Sequence, residues 1–429
     1  MTEDASTLPI ERSRVTTARM WWTTGIAGMA SYIDSAAITA FATSLIVFQK
    51  RLDLSSNQLG IAGAALAASM ALGAAIGGKL GDRYGRRPVF LVTMLIIIAG
   101  AALLAWSPTY TAILVGIIMV GGAVGADLPV SLATIAEVAD DRRRGRMLAI
   151  SNVLWLCGII GNGVLAANFG DLGEIVPVIL FGHIIVVSIV VTIARLFVPE
   201  SERWLLARQN RIEQSPRQPI APSWKELFRQ PLLTPFAGLC LFYGFTNIFA
   251  NTYSQYMSFL MVKHAGYTIS SAATFLTAAM PLALVGYLWF AKVADQKNRF
   301  TYFKVGAVCF VASPTVIALF GLTTPAIIVM IVLKAVGVSF AFEGIFRIWA
   351  QQSFTTLLRG TAQGAIVAFV RTLAALSALI APPLIDAIGV RGLFAAMASA
   401  TLIGVLVGWW VFQSRDQQSL LDNGEVGGA

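Results

Sequence analysis

The chain has 429 residues, of which 57% are hydrophobic and only 12% charged, with a mean hydropathy of +0.74. Soluble domains carry about 25% charged residues, so this chain cannot cover itself with a water-facing surface, and a soluble globular protein is excluded. A net charge of +9 would suggest nucleic acid as the partner of a soluble chain; here Lys and Arg gather in loops on one side of a membrane, which accounts for the charge without such a partner.

Met1 to Arg19 are polar, and the first apolar run has no small-residue cleavage site, so no cleavable leader is expected. Long apolar stretches then recur along the whole chain, which is the signal of membrane helices. The first half predicts spans near 20–48, 58–80, 88–106, 110–136, 146–169 and 175–198. A polar segment follows, with Glu200, Arg203, Arg208 and three prolines, and reads as a cytoplasmic linker. The second half predicts spans near 232–260, 270–293, 300–320, 324–351, 359–386 and 391–413. The expected fold class is therefore an all-α membrane protein of twelve helices in two pseudo-symmetric six-helix bundles. The first bundle is residues 1–198, the linker 199–231 and the second bundle 232–429. Basic loops at Arg83, Arg86, Arg87, Arg142 to Arg144, Lys292, Arg299 and Arg359 mark one side as cytoplasmic, with both termini there. The other side carries only Lys50, Arg51, Lys263 and Arg391. A multi-pass plasma (inner) membrane location is expected. Cys157, Cys240 and Cys309 lie in apolar runs and read as small buried hydrophobes, with no metal or disulfide pattern.

The chain repeats itself. Lys79, Asp82 and Arg86 after the second span align with Lys292, Asp295 and Arg299 after the eighth. Glu137 and Arg144 around the end of the fourth span align with Gln352 and Arg359 around the end of the tenth. Duplicated halves place one binding site between two moving bundles, which is the plan of a secondary transporter. At the cytoplasmic interface, Asp82, Arg83, Arg86, Glu137, Arg144, Glu200, Arg203, Asp295 and Arg359 read as gating charges. Their pairing would bias one conformation over another by about 1–3 kcal/mol.

The run Gly81-Asp82-Arg83-Tyr84-Gly85-Arg86-Arg87 resembles the loop motif of the major facilitator superfamily. Pro199-Glu200-Ser201-Glu202-Arg203-Trp204-Leu205 is similar to the motif after the sixth helix of its sugar-porter branch, and Glu137 with Arg144-Gly145 fits that branch too. Ala30 to Ser35, Gly125 to Ser131 and Leu358 to Gly364 look like bacterial inositol-type transporters. The resemblance implies alternating access and a cavity lined by helices one, four, seven and ten. It departs from the branch where Ile117 or Ile118 replaces a fourth-helix arginine, and where Gln352 replaces an acid.

Ionisable residues inside hydrocarbon are costly and mark pathways. Asp34, Asp127, Glu343 and Arg371 fall at similar depth in four spans, counted at about 1.5 Å per residue. Asp34 is expected to be the proton-coupling carboxylate, with Asp127 the second candidate, because a desolvated carboxylate can load and release a proton near neutral pH. Glu343 and Arg347 are spaced for an internal ion pair. Lys334 is placed near the outer interface, where it can snorkel, and His183 reads as structural. Tyr243, Asn247 and Asn251 recur every four residues on the seventh span; Asn152, Trp155 and Asn162 lie near one face of the fifth. Amides suit vicinal hydroxyls and an aromatic ring can stack on a sugar. Tyr243, Asn247, Asn251, Asn152, Trp155, Glu343 and Arg371 are thus the candidate substrate residues.

The expected function is proton-coupled uptake of a sugar or polyol such as an inositol. The alternatives are symport of an organic anion (a sugar acid or aromatic acid) and drug export. No nucleotide loop, metal-ligand cluster or nucleophile motif points to an enzyme. No cofactor is expected beyond the proton gradient, and the partners are a small solute, protons and the bilayer, with the chain acting as a monomer.

Overall fold

A computed structural model describes residues 17–138, 144–198, 227–293, 296, 298–354 and 356–426. Its first half holds α1 (Thr17–Leu52), α2 (Ser56–Tyr84), α3 (Arg86–Ala105), α4 (Tyr110–Val138), α5 (Arg144–Phe169) and α6 (Val176–Leu196). The second holds α7 (Leu233–Ala265), α8 (Ile269–Ala278), α9 (Met280–Val293), α10 (Arg299–Phe320), α11 (Thr324–Ala341), α12 (Glu343–Ser353) and α13 (Thr356–Val426). Only helices can keep every backbone polar group bonded inside hydrocarbon when no closed barrel forms, and the described elements are all helical.

Eleven of the described segments are long and apolar enough to cross a membrane. The last runs from Ala362 to Ser414, but Gly389 breaks it with φ 71° and ψ 174°. That left-handed turn, open to glycine at no steric cost, divides α13 into two limbs and makes twelve spans. α8 and α9 form the eighth span; α11 and α12 form the tenth. The tenth is interrupted at Phe342, with φ −134° and ψ −121°. Glu343 thereby opens the first turn of α12, where the helix dipole favours an anion.

In the first half α4 packs on α1, α2 and α3, and α6 on α1 and α3. In the second half α13 packs on α7 and α10, and α11 on α9 and α10. The halves meet through α2 with α13, α5 with α8, and α1 with α7. The α2–α13 contact at Gly60 and Leu379 and the contact of Gly170 with Ile269 and Ser270 lie toward the face that carries residues 53–55, 170–172 and 266–268. A Cβ on Gly60 would collide with the Leu379 carbonyl oxygen, and one on Gly163 with the Thr277 hydroxyl, so glycine sets the closeness of this seam. The Tyr256 hydroxyl reaches the carbonyl oxygens of Leu59 (3.4 Å) and Ala378 (2.8 Å), tying α7 to α2 and α13. This face of the pathway is shut.

The sequence repeat has a geometric counterpart at the other face. Arg86 donates to Glu137 at 2.7 Å, joining α3 to α4. Arg299 donates to Gln352 at 3.1 Å, joining α10 to α12. The same arginine position thus meets the same acceptor position in each half, although glutamine stands for glutamate in the second.

Candidate functional site

α1 carries Asp34 at its middle, and the side chain is 5% exposed. α5 runs beside it: the Ser35 hydroxyl donates to the Trp155 carbonyl at 2.5 Å, fixing the register of the two helices. The Trp155 indole N–H then donates to Asp34 Oδ2 at 3.0 Å. Asp34 therefore has a neutral hydrogen-bond donor from its own half. Its charged neighbours come from the other half: Arg371 on the first limb of α13 and Glu343 on α12 both act on it electrostatically.

The second half presents an aromatic wall with charges behind it. The Tyr243 ring stacks on Phe346, with centroids 4.2 Å apart, and leans on Phe342 at 5.2 Å. Arg347 donates to Glu343 at 2.5 Å, one helical turn away on α12, as the spacing predicts. Glu343, Arg371, Arg347 and Tyr287 all lie within electrostatic reach of Tyr243. Arg371 forms no hydrogen bond or ion pair among the described residues. The arrangement can hold a polar solute between a carboxylate on one half and a guanidinium and aromatic rings on the other.

Other expected site residues are placed differently. Asp127 does not join the central group. It faces α3 and α6, is 1% exposed, and takes a two-pronged ion pair from Arg195, at 2.6 and 2.8 Å. Thr93 also donates to it at 3.0 Å, and Arg195 reaches Ser131 at 3.2 Å and lies 4.2 Å from the centre of the Phe90 ring. Every oxygen of that carboxylate is committed to structure. Asn251 donates to the Ala374 carbonyl and accepts from Gln255, both at 3.2 Å, and so serves the packing of α7 on α13. Asn247 is half-buried, and Asn152 and Trp155 are exposed. Asn162 is fully buried, donating to the Ala36 carbonyl at 2.7 Å and bonding His183 at 3.1 Å. His183 also meets the Tyr32 hydroxyl at 3.0 Å, a packing role that ties α6 to α1 and α5.

Two expectations need correcting. Cys157 is exposed rather than buried. Lys334 does not snorkel: it lies on the buried face of α11, with its ammonium 3.9 Å from the centre of the Tyr253 ring. The depth count could not show which way the side chain turns: the rotation of α11 against α7 brings Lys334 onto Tyr253. Arg195 was missed altogether. A single arginine near the end of a span looks like an interfacial anchor, and nothing in the linear sequence ties it to Asp127. Of the expected gating charges, Arg86 and Glu137 pair as described. Asp82, Arg83, Arg144 and Arg359 have side chains outside the described set, and Glu200, Arg203 and Asp295 lie outside the described residues.

Comparison with known proteins fits this geometry. A family description, Major Facilitator Superfamily, matches residues 21–378. The chain is 28% identical over 391 residues to the minor myo-inositol transporter IolF of Bacillus subtilis (strain 168), covering 89% of this chain and 88% of that one. It is 25% identical to the glucose transporter GlcP of Staphylococcus epidermidis, covering 85% and 86%. The crystal structure of a D-xylose-proton symporter superposes with a TM-score of 0.73 at 17% identity, covering 90% of this chain and 97% of that one.

Proposed function

The chain belongs to the Major Facilitator Superfamily, and from that premise we propose that it couples proton movement to the uptake of a small hydroxylated solute, a sugar or polyol such as an inositol. The observation that carries this reading is Asp34. It is a buried carboxylate at the middle of α1, held by a neutral indole and facing Arg371 across the two halves. A charge in hydrocarbon is expensive, so proton loading of Asp34 changes the attraction between the halves. Solute and proton together then bias the reorientation between inward- and outward-facing states. The names of the inositol and glucose transporters it resembles support the solute class. The basic loops support a reading with both termini in the cytoplasm at a plasma membrane and the shut face outside.

The test is uptake by proteoliposomes holding the purified full chain. The panel is labelled inositol, hexoses, pentoses and sugar acids, each with and without an inward proton gradient. Gradient-driven accumulation of at least one hydroxylated solute is expected. Facilitated flux that ignores the gradient would remove the coupling, and no flux of any of these would remove the solute class.

A second reading is symport of an organic anion. It is favoured by Arg371, whose guanidinium has no hydrogen bond or ion pair among the described residues and could accept a carboxylate.

A further inference from the structure

Lys334 lies within the apolar span from Thr324 to Ala350, three residues from its middle residue 337. On α11 it shares a face with Ile327, Met330 and Ile331, which are buried, while Val329 and Val332 on the opposite face are 47% and 44% exposed to the bilayer side. Lys334 itself is half-buried on that inward face. Lys334 thus stands on the protein-packed side of α11. Its ammonium sits 3.9 Å from the centre of the Tyr253 ring on α7, and Tyr253 is backed edge-on by Phe249. Lys334 makes no hydrogen bond and no ion pair among the described residues. An aromatic face attracts a cation but brings no counter-charge.

The charge balance inside the spans points the same way. Asp127 cancels Arg195, and Glu343 cancels Arg347. Among the described residues near the middle of the spans, Asp34 is the remaining carboxylate, within electrostatic reach of Arg371; Asp386 lies at the exposed end of its limb of α13. Lys334 is then a cation in surplus, and proton loading of Asp34 would add Arg371 to that surplus. Burying uncompensated charge of one sign is unfavourable, and an anion entering the pathway would remove the imbalance.

We propose that the transported solute carries a carboxylate as well as hydroxyls, a sugar acid in chemical class, and that Lys334, seated on Tyr253, is the residue that binds the carboxylate. This rests on the reading of the chain as a carrier of hydroxylated solutes, with Arg371 within electrostatic reach of Asp34 and Lys334 on an aromatic ring without a counter-charge among the described residues.

The experiment compares matched probes, D-glucuronate against D-glucose and D-gluconate against myo-inositol, in proteoliposomes of the full chain. Wild type is expected to take up the acid with a KM about tenfold or more below that of its neutral match, the discrimination a buried polar partner provides. Lys334→Gln should raise the ratio of KM for the acid to KM for its neutral match by about tenfold, and Lys334→Arg should restore much of the preference. Should Lys334→Gln fail to fold, judged by thermal unfolding in detergent, the wild-type preference and the Lys334→Arg profile decide the matter. Neutral solutes preferred by wild type, or an acid preference that survives in Lys334→Gln, would overturn the assignment of Lys334 and leave the carrier reading standing. Transport of none of the four probes nor of any solute in the wider panel would instead bring down the carrier reading itself, whereas transport of other panel solutes alone would overturn the assignment of Lys334.

Discussion

At the scale of single residues, two buried aspartates on neighbouring helices differ in what surrounds them. Asp127 meets a guanidinium squarely, while Asp34 meets an indole N–H and a more distant arginine from the other half. A carboxylate locked in a dry, two-pronged ion pair has both oxygens taken up by its partner. We therefore expect Asp34→Asn to abolish accumulation against a gradient while retaining some solute exchange, since reorientation of the loaded carrier needs no proton release. Asp127→Asn should instead strand Arg195 without a counter-charge and cost about 3–5 kcal/mol of stability, seen as lower yield and a lower Tm in detergent. Normal accumulation by Asp34→Asn, together with a folded Asp127→Asn that has lost accumulation, would move the coupling role to α4. Asp127 was legible in the sequence as an intramembrane acid. Its partner was not, because Arg195 lies 68 residues away and only the rotation of α6 against α4 brings them together.

At the scale of elements, the shut face depends on how α5 approaches α8. Thr268 caps α8 from within, accepting from the Ser271 backbone N–H at 3.1 Å. Asp171, in the loop after α5, adds a cap from the other half by accepting from the Ser270 backbone N–H at 3.2 Å. Partial desolvation pushes the Asp171 carboxyl upward, but hydrogen bonds from the Ser270 and Ile269 backbone and the Thr268 and Ser270 hydroxyls outweigh it. The group is held below the ordinary carboxylate range. A depressed carboxylate contributes above its unfolded pKa of about 3.9 and loses that contribution only as pH falls through the lower folded value. The latch should thus be constant between about pH 5 and pH 8. Asp171→Ala should shift the carrier toward the state open at this face. A cysteine placed at Asn247, in a background lacking the three native cysteines, would then react faster with an impermeant maleimide added outside. Asp171→Asn should stay near wild type, since asparagine caps well. Equal labelling rates in Asp171→Ala and wild type would show that the seam of Gly60 and Gly163 holds without it.

At the scale of the whole molecule, the two halves repeat each other in detail. Arg86 with Glu137 and Arg299 with Gln352 occupy matching places, yet only the first pair is ionic. The second half therefore offers its arginine an uncharged acceptor at this position. Restoring the acid with Gln352→Glu should strengthen the contact and raise Tm by a few degrees, as a charge-assisted hydrogen bond exceeds a neutral one; an unchanged or lower Tm would mean that burying the added charge cancels the gain. The orientation makes its own prediction. A cysteine at position 210 should be labelled only from the cytoplasm and one at position 264 only from outside. Labelling of both from one side would defeat the arrangement of two six-helix halves with both termini inside.

The membrane class, the twelve spans and the internal repeat were determined by the sequence alone. Hydrocarbon imposes long apolar helices, and a duplicated loop leaves its charges at a constant offset, so both can be counted along the chain. The ion pair of Glu343 with Arg347 was legible for the same reason: its partners are one turn apart on one helix. Only the tertiary structure decided which charges from different helices meet. It sent Asp127 to Arg195, gave Trp155 to Asp34, committed Asn251 to packing and turned Lys334 inward onto Tyr253. Depth in a membrane can be reckoned from residue number at a fixed rise. The direction a side chain faces depends on how each helix is rotated against its neighbours, and that is set by close packing between segments far apart in the chain.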